Sequence, residues 1–388
     1  MTTATSYSDR LQRFQSELGQ SADLAFLPIS ADLQYLTGIP RDIPNFGRTI
    51  HPGEWLEGAW IAPGKAAVLA LPRMTAEFGG VADLMRESSA IELRILGDFE
   101  DPAALVTDIL RGFNLPAHPR VAVGELAGAQ TTVHLQALLP NAVFSSATAI
   151  CRHLRVMKTE DEIAVMRRAG EITEAVMGAV LPRLRHGMTE LDIIAEVDFQ
   201  LRKHGSLGPS FTTSLYNTGP NLPLTMNRLK TWQRELHPPC SVLFDFGAVL
   251  DGYCYDYGRT VSFGEPSAEF NIVHSLVMQA QAAGVAALRA GEATCAQVDA
   301  AARKVIADSG YGENFRHRLG HGIGLDVHEP PFLTASDATV VQEGMLFTVE
   351  PSILQEVGFS ARVEDVVVAR SGGGEKLTSG FQELYVVD

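Results

Sequence analysis

Residues 241–263 read SVLFDFGAVLDGYCYDYGRTVSF, two runs rich in β-branched and aromatic residues on either side of Asp251-Gly252. Asp-Gly is a preferred two-residue hairpin turn, because both residues tolerate positive φ. The segment is therefore expected to form a β-hairpin, and so short a turn leaves no freedom of register. Gly247 falls opposite Asp256. Asp245 lies two residues along on the same face, diagonal to Asp256, with Cβ atoms roughly 7–8 Å apart. Two carboxylates on one strand face repel each other unless a cation lies between them, and a divalent ion is the obvious candidate.

The stretch GMLFTVEPSILQEVGFSARVEDVVVA (344–369) has the same character. Pro351 is expected to stop its first strand, and Gly358 lies in the return. Strand side chains alternate, so Thr348 and Glu350 share a face, as do Arg362 and Glu364, while Asp365 points away. Glu350 and Glu364 both sit in apolar runs, where an unpaired carboxylate is costly. Between the hairpins, HRLGHGIGLDVHEPP carries His317, His321 and His328. Any one of these residues could be a surface group. Four acids inside two apolar hairpins are much harder to explain without a metal.

The chain has 388 residues, enough for two domains. Before residue 150, DLAFLPI (23–29), GAWIAPGKAAVLALP (58–72) and RVAVGELA (120–127) read as β segments. SYSDRLQRFQSELG and PAALVTDILRGF read as amphipathic helices, so an α/β layer is expected. GIPRDIPNFGRTIHPGEW (38–55) reads as a long loop. The texture changes near residue 158, where Thr159 and Glu162 form a capping-box pattern ahead of a long helix. A second helix follows Gly187, and others are expected at about 267–289 and 294–309. A helix-helix-hairpin order thus occurs twice, over 158–263 and 267–369. The expectation is an α/β (α+β) chain with domains at 1–152 and 153–388, the second built of duplicated halves.

Acidic residues outnumber basic ones 46 to 31, giving a formal charge of −15. Such a surface repels phosphate backbones and anionic membranes, which excludes nucleic-acid and lipid partners. The four cysteines, Cys151, Cys240, Cys254 and Cys295, form no CxxC motif. They fit a reducing compartment. With no signal-peptide pattern at the N-terminus and no membrane-length apolar run, a cytoplasmic protein is expected.

GHGIGLDVHE, FDFG…GYCYDYGRT, TVEPSI and ARVEDVVV together resemble the catalytic domain of the M24 metallopeptidases, which has the pita-bread fold. LRVMKTEDEIAVMRRAGEIT resembles that family's domain-opening helix, and LQYLTGI its prolidase/aminopeptidase P/creatinase branch, with a small creatinase-type N-terminal domain. The resemblance implies two divalent ions held by Asp245, Asp256, His321, Glu350 and Glu364, with Asp256 and Glu364 bridging. Four carboxylates and one imidazole favour Mn, Fe, Co or Zn over Cu, and manganese is the expected ion. The resemblance further implies Glu350 as general base, His328 as a contact to substrate, His317 as pocket lining, and Arg362 as orienter of Glu364. It implies a homodimer that hydrolyses Xaa-Pro peptides with metal-activated water. The same scaffold supports a creatinase-like amidinohydrolase, an amidohydrolase or a lyase acting on a small molecule, and also a silent binding module.

Two positions depart from the family pattern. Met226 stands where a substrate-binding histidine is expected, with His237 too far along to replace it. Gly258 stands where the pattern has threonine. Phe46, Arg48, His51 and Trp55 of the 38–55 loop, and Trp232 and Arg234, are candidate substrate-selecting residues.

Overall fold

The computed structural model describes residues 4–41, 52–85, 91–225 and 227–387. The chain separates into two compact units, Met1–Arg155 and Val156–Asp388.

The first unit is built on six strands: β1 (Leu24–Pro28), β2 (Gly58–Ile61), β3 (Ala67–Pro72), β4 (Ile91–Leu96), β5 (Arg120–Val123) and β6 (Val143–Ser146). Their order is β4-β3-β2-β1-β5-β6. GAWIAPGKAAVLALP makes two of these strands, which pair antiparallel. Helices α1 (Ala4–Ser21), α2 (Ala31–Thr37), α3 (Val81–Met85), α4 (Pro102–Phe113), α5 (Ala129–Leu138) and α6 (Thr148–Arg155) complete the unit. Helix α4 starts where Asp101 accepts the Ala103 N–H and Pro102 fills the first turn, and stops at Asn114 in the left-handed region. Phe26 and Trp60 meet at 4.7 Å between ring centroids in the sheet's apolar layer. Each such buried aromatic contributes about 2–3 kcal/mol of transfer free energy.

The second unit opens with α7 (Glu160–Val180) and α8 (Glu190–Lys203). Both begin with capping boxes, Thr159 with Glu162 and Thr189 with Asp192. After β7 (Ser214–Thr218) and the short α9 (Arg228–Thr231) comes the first hairpin: β8 (Cys240–Phe246), β9 (Val249–Leu250), β10 (Tyr253–Cys254) and β11 (Tyr257–Phe263). The predicted register holds from the tip, Tyr253 with Leu250, to the base, Phe263 with Cys240. Asp251 and Gly252 take φ of 50° and 82°, as the turn demands.

The order then repeats. Helices α10 (Ala268–Ala287) and α11 (Cys295–Asp308) precede β12 (Gly320–Gly322), β13 (Glu329–Leu333), β14 (Leu346–Val349), β15 (Ser352–Ile353), β16 (Ala361–Arg362) and β17 (Asp365–Val368). Strands β18 (Glu375–Lys376) and β19 (Tyr385–Val387) close the chain. Two larger sheets result, β19-β11-β8-β7 and β13-β12-β14-β17-β18, with β10-β9 and β15-β16 as two-stranded pairs. Val277, Ala280, Val298, Ala302, Phe347, Val349 and Val367 pack α10 and α11 onto the second sheet. That core fixes β12, which carries His321, and β14 and β17, which are flanked by Glu350 and Glu364. Among the described residues no helix is long and apolar enough to cross a membrane.

Candidate metal centre

The two hairpins present their acids to one another. Asp245 pairs with Gly258 across β8 and β11. In the second hairpin Val349 pairs with Asp365 and Ser352 with Arg362, so Glu350 and Glu364 occupy facing positions where Pro351 interrupts the ladder. The Glu364 backbone turns to Gly258 instead. Its N–H donates to the Gly258 carbonyl at 2.9 Å, and the Gly258 N–H donates back at 3.3 Å. This bridge stitches the hairpins together. A Cβ on Gly258 would stand 2.9 Å from Glu364 Cβ, so in this backbone the close approach requires glycine.

His321 lies on β12, beside β14. Its Nδ1–H donates to the Gly322 carbonyl at 3.0 Å, which aims Nε2 at the acids: 3.6 Å to Asp256 and 3.4 Å to Glu350. The His328 ring sits 4.2 Å from that of His321, centroid to centroid. His317 donates Nδ1–H to the Arg318 carbonyl at 2.7 Å. Its Nε2 faces the Ser352 hydroxyl at 2.5 Å and Arg362 at 3.4 Å. All eight predicted site residues line one cavity of about 890 Å³: Asp245, Asp256, His317, His321, His328, Glu350, Arg362 and Glu364.

The electrostatics call for a cation. Burial, and then the neighbouring Asp256, Glu350 and Asp245, push the Glu364 carboxyl well above the glutamate range. Burial also opposes ionisation of Glu350, but Arg362, His321 and His317 outweigh it and hold that carboxyl low. For His321, burial favours the neutral ring, whereas Asp256 and Glu350 prevail and raise its pKa. Burial lowers His317, with Arg362 adding to the effect. Burial and the adjacent His321 lower His328. Asp256 Oδ1 and Glu364 Oε2 are buried with no hydrogen-bond partner. Ligand atoms of Asp256, His321 and Glu364 lie within 4.8 Å of one another. Orphaned carboxylate oxygens facing an imidazole nitrogen are the donor set a divalent ion needs, so the residues fit the group.

Other sequence expectations fare differently. Phe46, Arg48, His51 and Met226 lie outside the described residues. Trp55 is no substrate selector. It is buried in the first unit's core, stacked on His134 at 4.3 Å, because one large ring outweighs the polar company of its loop. Trp232 and Arg234 do not line the cavity. The Trp232 carbonyl accepts the Leu191 N–H at the start of α8, and Arg234 bonds Asn217 and lies 3.6 Å from Glu190. His237 is exposed beside Glu235.

Two contributors went unnoticed in the sequence. Ser352 directly follows the Glu350-Pro351 pair and holds His317. Arg318 sits inside the histidine segment, lines the cavity, and lies over the Phe332 ring at 4.5 Å. Among the described residues it has no carboxylate partner. A lone cation between two histidines was the available signal.

The family model for metallopeptidase family M24 matches residues 164–371. A Xaa-Pro dipeptidase from Lactobacillus delbrueckii subsp. lactis is 31% identical over 388 residues, covering 98% of each chain. Among solved structures, a recombinant prolidase from Thermococcus sibiricus superposes with a TM-score of 0.85 at 25% identity, covering 98% of this chain and 99% of its own. A dipeptidase from Pyrococcus horikoshii OT3 gives 0.83 at 27% identity, covering 97% and 100%.

Proposed function

The chain belongs to metallopeptidase family M24, and on that premise we propose that it is a metal-dependent Xaa-Pro dipeptidase. The observation that carries the reading is the convergence of five donor side chains on one cavity, two of them with buried, unpartnered oxygens. Asp245, Asp256, His321, Glu350 and Glu364 would hold two divalent ions. When bound, the ions supply Lewis acidity toward the scissile carbonyl and acidify water.

The chain's own groups do the rest. Glu350 Oε1 is engaged by the Thr348 hydroxyl at 3.2 Å and faces His321, while Oε2, 3.8 Å from Arg362, is the oxygen that takes the proton of the attacking water. His328, kept neutral, offers a ring N–H to the substrate carbonyl as it becomes tetrahedral. His317 is held by Ser352 and the Arg318 carbonyl as a fixed wall of the pocket. Arg362 donates to Asp245 at 2.7 Å and orients the acids around it.

Arg318 favours a dipeptide over a longer chain. A guanidinium braced on Phe332 at the cavity wall, with no carboxylate partner among the described residues, suits a free C-terminal carboxylate. Manganese as the resident ion, supported by the hard donor set, belongs to the same proposal. So does a homodimeric, cytoplasmic protein, supported by the family and by four buried cysteines that form no disulfide.

The test is turnover by metal-loaded protein of Xaa-Pro dipeptides and of longer peptides with proline second. Dipeptides are expected to be cleaved with much the higher kcat/KM. Equal cleavage of longer peptides would overturn the dipeptide assignment. No turnover of either, by protein that holds its ions, would overturn the peptidase reading.

A further inference from the structure

The segment from His317 to His328 carries three imidazoles, yet only Gly320–Gly322 of it is strand. Two ion pairs outside the cluster of acids hold its two ends. At the first end, Asp299 and Arg303 stand one turn apart on α11 and bond each other twice at 2.9 Å. Arg303 also donates to the carbonyls of Phe315 at 2.9 Å and His317 at 2.8 Å. Asp299 Oδ1 accepts the Leu319 N–H at 3.0 Å. The chain bends at residues 317 and 319. The helical pair braces those bends by bonding the backbone groups of residues 315, 317 and 319.

At the second end, Glu329 directly follows His328. The His328 ring faces the cavity, whereas the Glu329 carboxylate is buried and accepts from Lys158 Nζ at 2.9 Å and from the Asp326 N–H at 3.1 Å. The two side chains are only 4% and 8% exposed. A Cβ on Gly324 would stand 2.9 Å from both Lys158 Cε and Glu329 Oε1, so the loop is packed directly onto the pair. Lys158 is itself fixed, its N–H donating to the Gly344 carbonyl at 2.9 Å.

We propose that Lys158 and Glu329 are positioning residues for His328, as Asp299 and Arg303 are for His317. The segment is held from behind at each end, and its histidines are set independently of one another. The kinetic part of this proposal rests on the peptidase reading; the spectroscopic part does not.

The experiment replaces the pair as a unit with Lys158→Met and Glu329→Leu, since apolar replacement of both partners leaves no buried charge behind. The double variant is expected to keep wild-type ion stoichiometry. Its kcat on a Xaa-Pro dipeptide should fall about tenfold or more, with KM within about twofold. Imidazole ¹⁵N resonances of His328 should broaden or split, with those of His317 unchanged. Replacing Asp299 and Arg303 together, Asp299→Leu with Arg303→Met, should do the reverse, moving the His317 resonances and raising KM. Should the double variant not fold, Glu329→Gln keeps the shape and the Asp326 bond and removes only the charge; it is expected to give the same signature more weakly, with Lys158→Arg retaining most of kcat. Unchanged His328 resonances and kcat in a folded variant would overturn the proposal. If the wild-type protein cleaves no peptide, the peptidase reading fails while the resonances still decide this one.

Discussion

Arg362 Nη1 lies 2.7 Å from Asp245 Oδ2, and the same nitrogen is 3.8 Å from Glu350 and 4.0 Å from Glu364. One guanidinium therefore balances three carboxylates and leaves Asp256 to face His321. Lysine carries the charge but not the planar, multi-donor head. Arg362→Lys is expected to lower kcat/KM by about 10–100-fold while the protein stays folded. Steady-state kinetics beside ion content by elemental analysis would show it, and wild-type kinetics would remove Arg362 from the site's machinery.

Asp256→Ala should abolish ion binding and activity together, because its carboxylate faces both His321 and Glu364. Titration calorimetry with manganese measures the first. A variant that still binds two ions would show the ligand assignment to be wrong.

Chelation is expected to inactivate the protein and lower its Tm by several degrees, with manganese or cobalt restoring both. An ion held at about 100 times its Kd contributes about 2.7 kcal/mol per site. In its absence the burial of Glu364 among like charges is uncompensated. Scanning calorimetry with and without ion would decide; an unshifted Tm would mean that folding and binding are not linked.

Arg318→Gln should raise KM for a Xaa-Pro dipeptide by about tenfold, the loss of one charged hydrogen bond. The C-terminal amide of the same dipeptide should bind both proteins alike. A parallel loss on the amide would move Arg318 out of the carboxylate role.

His274, on α10, offers a pH test away from the cavity. Burial, and then Arg259, lower its pKa to about 4. The unfolded chain thus holds a proton that the folded chain refuses between about pH 6.5 and 4. This contribution is fully present above the unfolded value and is lost as pH falls through that window, by about 3 kcal/mol at most. Denaturation midpoints at pH 7.5 and pH 4.5 should differ less in His274→Leu than in the wild type. An equal drop in both would assign acid sensitivity elsewhere.

The hairpins were legible because each register follows from local chemistry: a two-residue turn at Asp251-Gly252 and a strand-stopping Pro351. The long helices were legible through their caps, with Thr159 and Glu162 announcing α7 at its first residue. Strand β4 was not among the expected segments, although IELRI alternates apolar and charged residues at the strand period and pairs parallel with β3. Trp55 misled because a loop's composition says nothing about one ring that finds a core. The histidines were visible, but what holds them was not. Lys158 and Glu329 lie 171 positions apart, and no local pattern joins such partners. Gly258 was visible only as a departure, and its reason lies in a backbone bridge to Glu364.

The turn at Asp251-Gly252 bears on how this gene can change in length. A one-residue slip of β11 against β8 at that turn would put Asp256 on the far face of the sheet. The reading frame and all five proposed donors would survive, yet the cavity would lose one of them. Single-residue length changes at this turn should therefore be rarer across related genes than changes in the neighbouring loops.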